Sequence, residues 1–324
     1  MKKHFSLFLT AVFLSAAVSV TALASNTNDV SADTNLSDIQ NNLSVISDSH
    51  RPIGSLGEQD TVQYLEKRFS EMGYTVTLQP YTNDQGLTGT NVIASKEVSD
   101  PNADIFILSA HHDSVPTAYG ANDNASGVAT LLSVAEKLKD LPSDTEIRFI
   151  SFTDEENGKN GSRFYASSLS SEEKSRMIGA IQFDMLGGLG TSGISVCTAD
   201  GESNWVSDLL QNTDPSLPLK AETASDHVSL QLAGIPSVLL TQDGRGYLYH
   251  SSADTADQLN LNIISNTVEM VSSAAEQILS ADTPSYQSLA REQGDHYTYR
   301  QTRQNVIYFS SSLAVAATLA AVRP

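Results

Sequence analysis

Ile105-Phe106-Ile107-Leu108-Ser109-Ala110-His111-His112-Asp113-Ser114 is the stretch that decides the fold. The segment Ile105 to Ala110 is too short for a helix and has the apolar content of a strand buried on both faces. It then passes without a turn residue into two imidazoles, a carboxylate and a hydroxyl. In an open α/β sheet the carboxyl ends of strands are where ligands are held, so these ionisable residues are candidates for chemistry.

Outward from this strand, helix and strand signals alternate. Asp60 to Met72 places Val62, Leu65 and Phe69 at helical spacing, and Gly73 stops it before the strand pattern Tyr74-Thr75-Val76-Thr77-Leu78. Gly127 to Leu138 predicts a helix with Val128, Leu131, Leu132, Ala135 and Leu138 along one side. Ile147 to Phe152, Ala180 to Met185 and Ser237 to Thr241 predict further buried strands. Strands separated by helices predict an α/β fold, a three-layer sandwich with a mostly parallel central sheet covered on both faces. No internal repeat or low-complexity block interrupts it.

The strand ends share a chemistry. Ile147 to Phe152 runs into Thr153-Asp154-Glu155-Glu156, Ile181 to Phe183 into Asp184, and a Gly/Tyr-rich loop carries Tyr249-His250. A single His or Asp means little, because most are surface or satisfied core groups. Several chain segments delivering carboxylates or imidazoles to one sheet edge is the geometry of a metal site on an α/β scaffold.

Composition narrows the partners. Of 324 residues, 19 are Lys or Arg against 38 Asp or Glu, a formal charge of -19. No basic patch could offset phosphate repulsion, which excludes nucleic acid; an acidic surface is more often a solubility device than a binding site and is compatible with substrates carrying a free ammonium group. Cys197 is the only cysteine, so the chain is stabilised by its core and not by disulfides. Within Ile194-Ser195-Val196-Cys197 it reads as a buried strand residue and not a catalytic thiol.

The termini read differently from the middle. Lys2 and Lys3, the apolar run Phe5 to Val20 and Ala22-Leu23-Ala24 predict a signal peptide over 1–24, hence a secreted or extracytoplasmic protein. Its removal takes away two lysines and no acid, moving the formal charge from -19 to -21. A polar leader over 25–35 and a catalytic domain over 36–282 are expected to follow. In the tail, 283–324, the apolar segment 306–322 has two readings: a C-terminal anchor giving weak membrane or cell-surface association, or a helix packed on the domain. The chain is expected to be a monomer.

Read together, Arg51-Pro52-Ile53-Gly54-Ser55, Gly73-Tyr74, Asn91-Val92-Ile93-Ala94, Ala110 to Ser114, Gly120 to Gly127, Glu155-Glu156, Gly161-Ser162, Asp184-Met185 and Tyr249-His250 resemble the zinc aminopeptidases of peptidase family M28. The resemblance covers roughly 36–280 with order and spacing intact. It implies a co-catalytic zinc exopeptidase fold with two zinc ions per chain. His111 and Asp184 would bind one ion, Glu156 and His250 the other, and Asp123 would bridge them. The implied activity is hydrolysis of the N-terminal bond of peptides with a free N-terminus by a hydroxide held between the metals.

With Glu156 as a ligand, the adjacent Glu155 is left as general base. Asp113 lies two residues beyond His111, on the same side of an extended segment, and is expected to orient its imidazole; His112 points away. Tyr249 resembles the family tyrosine that supports the oxyanion, and a packing role is the alternative. Asp254 and Asp257 read as capping residues for a helix beginning near Asn260. In the family the bridging aspartate is followed by a non-proline cis peptide, here Asp123–Asn124; an ordinary Asn/Asp turn is the alternative.

Two other functions stay open. A carboxypeptidase on the same scaffold needs cations for a terminal carboxylate, and Arg163 and Arg245 are the only arginines near the motifs. A non-catalytic peptide-binding relative would be expected to have lost Glu155 or a ligand. Glutaminyl cyclases resemble this family too, but work with one zinc.

Overall fold

The computed structural model describes residues 27–301 apart from 192, 245, 247, 280–285, 295 and 299. The expected signal peptide at 1–24, the apolar segment 306–322 and Arg245 therefore lie outside the described residues. Among those described, no helix is long and apolar enough to cross a membrane.

In chain order the elements are α1 (Thr27–Ile46), α2 (Leu56–Glu71), β1 (Thr75–Thr82), β2 (Thr88–Lys96), β3 (Ile105–His111), α3 (Ser126–Leu138), β4 (Glu146–Phe152), α4 (Asn160–Ser168), α5 (Ser171–Arg176) and β5 (Met177–Phe183). Then come β6 (Ile194–Thr198), α6 (Trp205–Thr213), β7 (Leu219–Ala221), α7 (His227–Leu232), β8 (Ser237–Gln242) and α8 (Leu261–Leu279). Among the described residues, the eight strands form one sheet in the order β1-β2-β4-β3-β5-β8-β6-β7. The expected parallel arrangement holds for the central β4-β3-β5-β8. Outside it, β1–β2, β2–β4 and β6–β8 pair antiparallel.

The three layers follow from the period of two along each strand. On β3, Phe106, Leu108 and Ala110 pack with α1, α2, α3, α6 and α8, while Ile105 and Ile107 pack with Tyr165 of α4 and Leu230 of α7. A strand covered on both sides must be apolar throughout, as this one is. α2 starts four residues before its expected beginning because the Ser55 side chain accepts the Glu58 N–H and caps it. α1 runs through the boundary drawn at 35.

Residues of the segment after 282 pack on α6. Residues 286–294 are helical, Tyr286 packs on Trp205 with ring centroids 4.6 Å apart, and Gln293 accepts the Trp205 N–H.

Candidate metal centre

The parallel centre of the sheet brings the expected residues together. His111 ends β3, Glu155 and Glu156 follow β4, and Asp184 follows β5. Asp123 sits in the tight turn Ala121–Ala125 ahead of α3, and His250 in the loop after β8.

His111 Nε2 lies 3.3 Å from Asp123 Oδ1 and 3.4 Å from Asp184 Oδ1. His250 Nε2 lies 3.2 Å from Asp123 Oδ2 and 3.0 Å from Glu156 Oε2. The five residues thus form two donor triads that share Asp123, one oxygen facing each.

The surrounding contacts hold these side chains in place. Asp113 Oδ1 lies 3.3 Å from His111 Nδ1, within reach of the imidazole it is proposed to orient. His112 belongs to neither triad: its Nδ1 is 3.0 Å from Ser151 Oγ, and it is a buried structural residue. The Asp123–Asn124 peptide bond is cis. Asn124 ties this turn to the Asp184 segment, donating to Phe183 O and accepting the Met185 N–H. Met185, beside one triad, and His250, within the other, adopt φ of 57° and 55°. Such left-handed residues cost of order 1–3 kcal/mol each and persist where neighbours hold them.

Asp254 stands elsewhere than its local pattern predicts, and Arg51, which opens the first motif, packs beside the same turn. Asp254 does not cap the helix near Asn260; its carboxylate accepts the backbone N–H groups of Asn122 and Asp123 at 2.7 and 3.1 Å. Its partners are more than 130 positions away, so no local signal could reveal them. Asp257 does bond locally, accepting from Thr255 Oγ1 at 2.6 Å. Arg51 is fully buried and donates to backbone carbonyls that include His112 O and Gly120 O.

The electrostatics describe a cluster short of positive charge. Burial pushes the Glu156 carboxyl up to about 7, and burial likewise raises Asp184. Contacts with Asp123 and Glu156 pull His250 up to about 9. Burial alone would lower His111, but Asp184, Asp113 and Asp123 hold it well above its ordinary value. For Asp123 burial acts upward, yet the two imidazoles outweigh it and draw the carboxyl far down. A cation at each triad would supply the charge that protons otherwise have to provide.

The donors fit zinc. Bonds of about 2.0–2.2 Å in a tetrahedral site separate neighbouring donors by about 3.3–3.6 Å, near the 3.0 to 3.4 Å found here. His111 Nε2, Asp184 Oδ1, Glu156 Oε1 and His250 Nε2 are buried with no hydrogen-bond partner. Buried polar atoms normally have such a partner, and a cation at each triad would supply one. The set of imidazole and carboxylate donors suits zinc, with cobalt or manganese as substitutes.

A cavity opens beside the cluster, lined by Glu155, Glu156, Asp184, Met185, Glu222 and Tyr249 among others. Burial holds the Glu155 carboxyl well above the carboxylate range, reinforced by nearby acids including Asp226 and Asp184. Tyr249 stacks on His250 with ring centroids 3.7 Å apart, which places its ring at the cavity wall. Arg163 is exposed on α4 and does not line this cavity. Cys197 is buried on β6 with its thiol pushed up to about 11 by burial, as expected of a structural cysteine.

The profile described as Peptidase family M28 matches residues 91–275, which hold every residue of both triads. Aminopeptidase YwaD of Bacillus subtilis (strain 168) is 35% identical over 214 residues, 62% of this chain and 46% of that relative. The chain thus spans about half the length of this curated relative. An aminopeptidase from Aneurinibacillus sp. strain AM-1 superposes with a TM-score of 0.71 at 26% identity, over 75% of this chain and 93% of that one. A zinc aminopeptidase from Bacillus subtilis shares the fold with a TM-score of 0.72 at 20% identity, over 78% and 96% of the two chains. With the family profile spanning more than half of its length and the triads inside that span, the chain belongs to peptidase family M28.

Proposed function

We propose that this protein is a two-zinc aminopeptidase that removes residues from the free N-terminus of peptides outside the cytoplasm. The observation that carries the reading is the pair of donor triads sharing Asp123 beside a cavity lined by Glu155. His111 and Asp184 would hold one zinc, Glu156 and His250 the other, with Asp123 between them. When bound, the two ions would supply Lewis-acid polarisation of the scissile carbonyl and a more acidic attacking water.

The chain's own groups do the rest. Glu155 is buried and its raised pKa suits a group that takes a proton from water and hands it to the departing amine. Tyr249, whose ring stacks on His250 at the cavity wall, would donate its hydroxyl to the oxygen on which charge develops. Asp113 keeps the His111 ring turned so that Nε2 faces Asp123 and Asp184.

The charge of the cavity favours an aminopeptidase over a carboxypeptidase. Among the described residues lining it there is no Lys or Arg, and Glu222 adds a carboxylate outside the ligand set. That wall suits a substrate ammonium and disfavours a terminal carboxylate. A panel of aminoacyl chromogenic amides, run beside N-blocked and C-blocked peptides, tests this. C-blocked peptides should be cleaved and N-blocked ones spared; the opposite pattern would establish the carboxypeptidase. We assign export to the 1–24 segment, and a mature N-terminus at Ser25 in secreted material checks it.

A further inference from the structure

We propose that Asp254 is a positioning residue for the Asp123 carboxylate, gripping the Ala121–Asp123 turn at its N–H groups while Arg51 grips its preceding carbonyls. The inference rests on Asp123 being the shared ligand.

Three successive backbone N–H groups, those of Ala121, Asn122 and Asp123, donate to one residue. Their acceptors are Asp254 O at 3.3 Å, Oδ1 at 2.7 Å and Oδ2 at 3.1 Å. Both carboxylate oxygens are therefore used on the turn itself, and the side chain is buried. From the other direction Arg51 donates through Nη1 to Tyr119 O at 2.5 Å and through Nη2 to Gly120 O at 2.9 Å. Its Nε donates to His112 O at 2.7 Å, next to the ligand His111. An anion thus meets the N–H end of the turn and a cation its carbonyl end, where charge-assisted hydrogen bonds are the strong ones.

The grip leaves the turn little freedom. Gly120 has φ of 60°, and a Cβ there would collide with the backbone oxygen of Asp123 and press on Arg51 Nη2. Downstream, Asn122 accepts the Gly187 N–H and Asn124 accepts the Gly127 N–H. Such control matters at Asp123 because its two oxygens must face His111 and His250 at once, at 3.3 and 3.2 Å. A shift of about one ångström serves one triad at the expense of the other. Asp254 also stands four positions after His250, so one segment carries both a ligand and the clamp on the shared ligand.

An asparagine at 254 keeps the volume but loses the charge and offers one acceptor oxygen where two are needed. The test is a zinc titration of chelator-stripped protein against a competing chromogenic chelator, for wild type, Asp254→Asn and the exposed control Asp257→Asn. The expected result for Asp254→Asn is zinc binding weakened about 10- to 100-fold, with near-UV circular dichroism retained. Its kcat should fall while KM stays within about twofold, and Asp257→Asn should behave as wild type. If Asp254→Asn does not fold, Asp254→Ser, which keeps one acceptor in a smaller volume, is read by the same titration. Wild-type zinc affinity in a variant whose only change is a lower Tm would overturn the proposal, leaving Asp254 a merely structural residue. A wild-type chain that takes up no zinc would overturn both this proposal and the assignment of Asp123.

Discussion

The carboxylate of Asp113 joins His111 to Glu155: Oδ1 lies 3.3 Å from His111 Nδ1 and also accepts the Glu155 backbone N–H at 3.1 Å. Its other oxygen accepts the Glu156 N–H at 3.2 Å. One buried side chain thus touches the His111 ring of the first triad, the backbone of the proposed base Glu155, and the backbone of Glu156 in the second triad. Replacing Asp113 by Ala should weaken zinc binding about 10- to 100-fold and lower turnover further, because the Glu155–Glu156 turn loses both acceptors. Chelator competition and steady-state kinetics on the same preparation check it. An unchanged zinc affinity would refute the shared role.

Two metals should be needed for full activity. Metal analysis of active protein after dialysis is expected to give close to two zinc ions per chain. Zinc should also raise Tm, since a ligand that binds the folded chain stabilises it by mass action. A firm value of one ion with full activity would rule out the paired assignment.

The division between base and ligand separates Glu155 from His111. Glu155→Gln is expected to keep the fold and the zinc while lowering turnover about 10²- to 10⁴-fold. His111→Ala should lose metal instead. Equal zinc loss in both variants would show that Glu155 is not distinct from the ligand set.

His227 makes the stability depend on acid. Burial holds its imidazole down at about 4, and its Nε2 is 2.9 Å from the carbonyl oxygen of Glu222, which puts the proton on that nitrogen. At pH 5 the folded ring is neutral while the unfolded one is charged, so the unfolded chain binds more protons. Stability is then fully present above about 6.5 and is lost as pH falls toward about 4. The loss between pH 7.5 and 5 should be of order 2 kcal/mol. Urea unfolding of chelator-stripped protein at both pH values, with His227→Gln as comparison, measures it; an equal loss in the variant would remove His227 as the cause.

Local patterns were readable wherever a periodicity or a stop signal is carried by neighbouring residues. The helical spacing of Val62, Leu65 and Phe69 and the apolar run from Ile105 required no more than that, and α2 and β3 formed there. The antiparallel pairings around β2 were not readable: β2 shows only as the motif Asn91–Ala94, and its pairing with β1 and β4 depends on a sheet order that no local pattern specifies. Strand ends bearing His111, Glu155, Glu156 and Asp184 were visible as candidates, and the resemblance to a family assigned their roles.

By itself the sequence determined the central parallel strands, the buried helix behind them and the residue types offered at the sheet edge, because each is a property of contiguous residues. The tertiary structure brought Asp123 between His111 and His250, as the family resemblance implied, and it alone decided that Asp113 serves the Glu155–Glu156 turn and that Asp254 holds Asn122 and Asp123. Those contacts join residues between 12 and 132 positions apart. Crossover helices and strand order set which loops meet at such separations, and the chemistry of the site exists only once they have met.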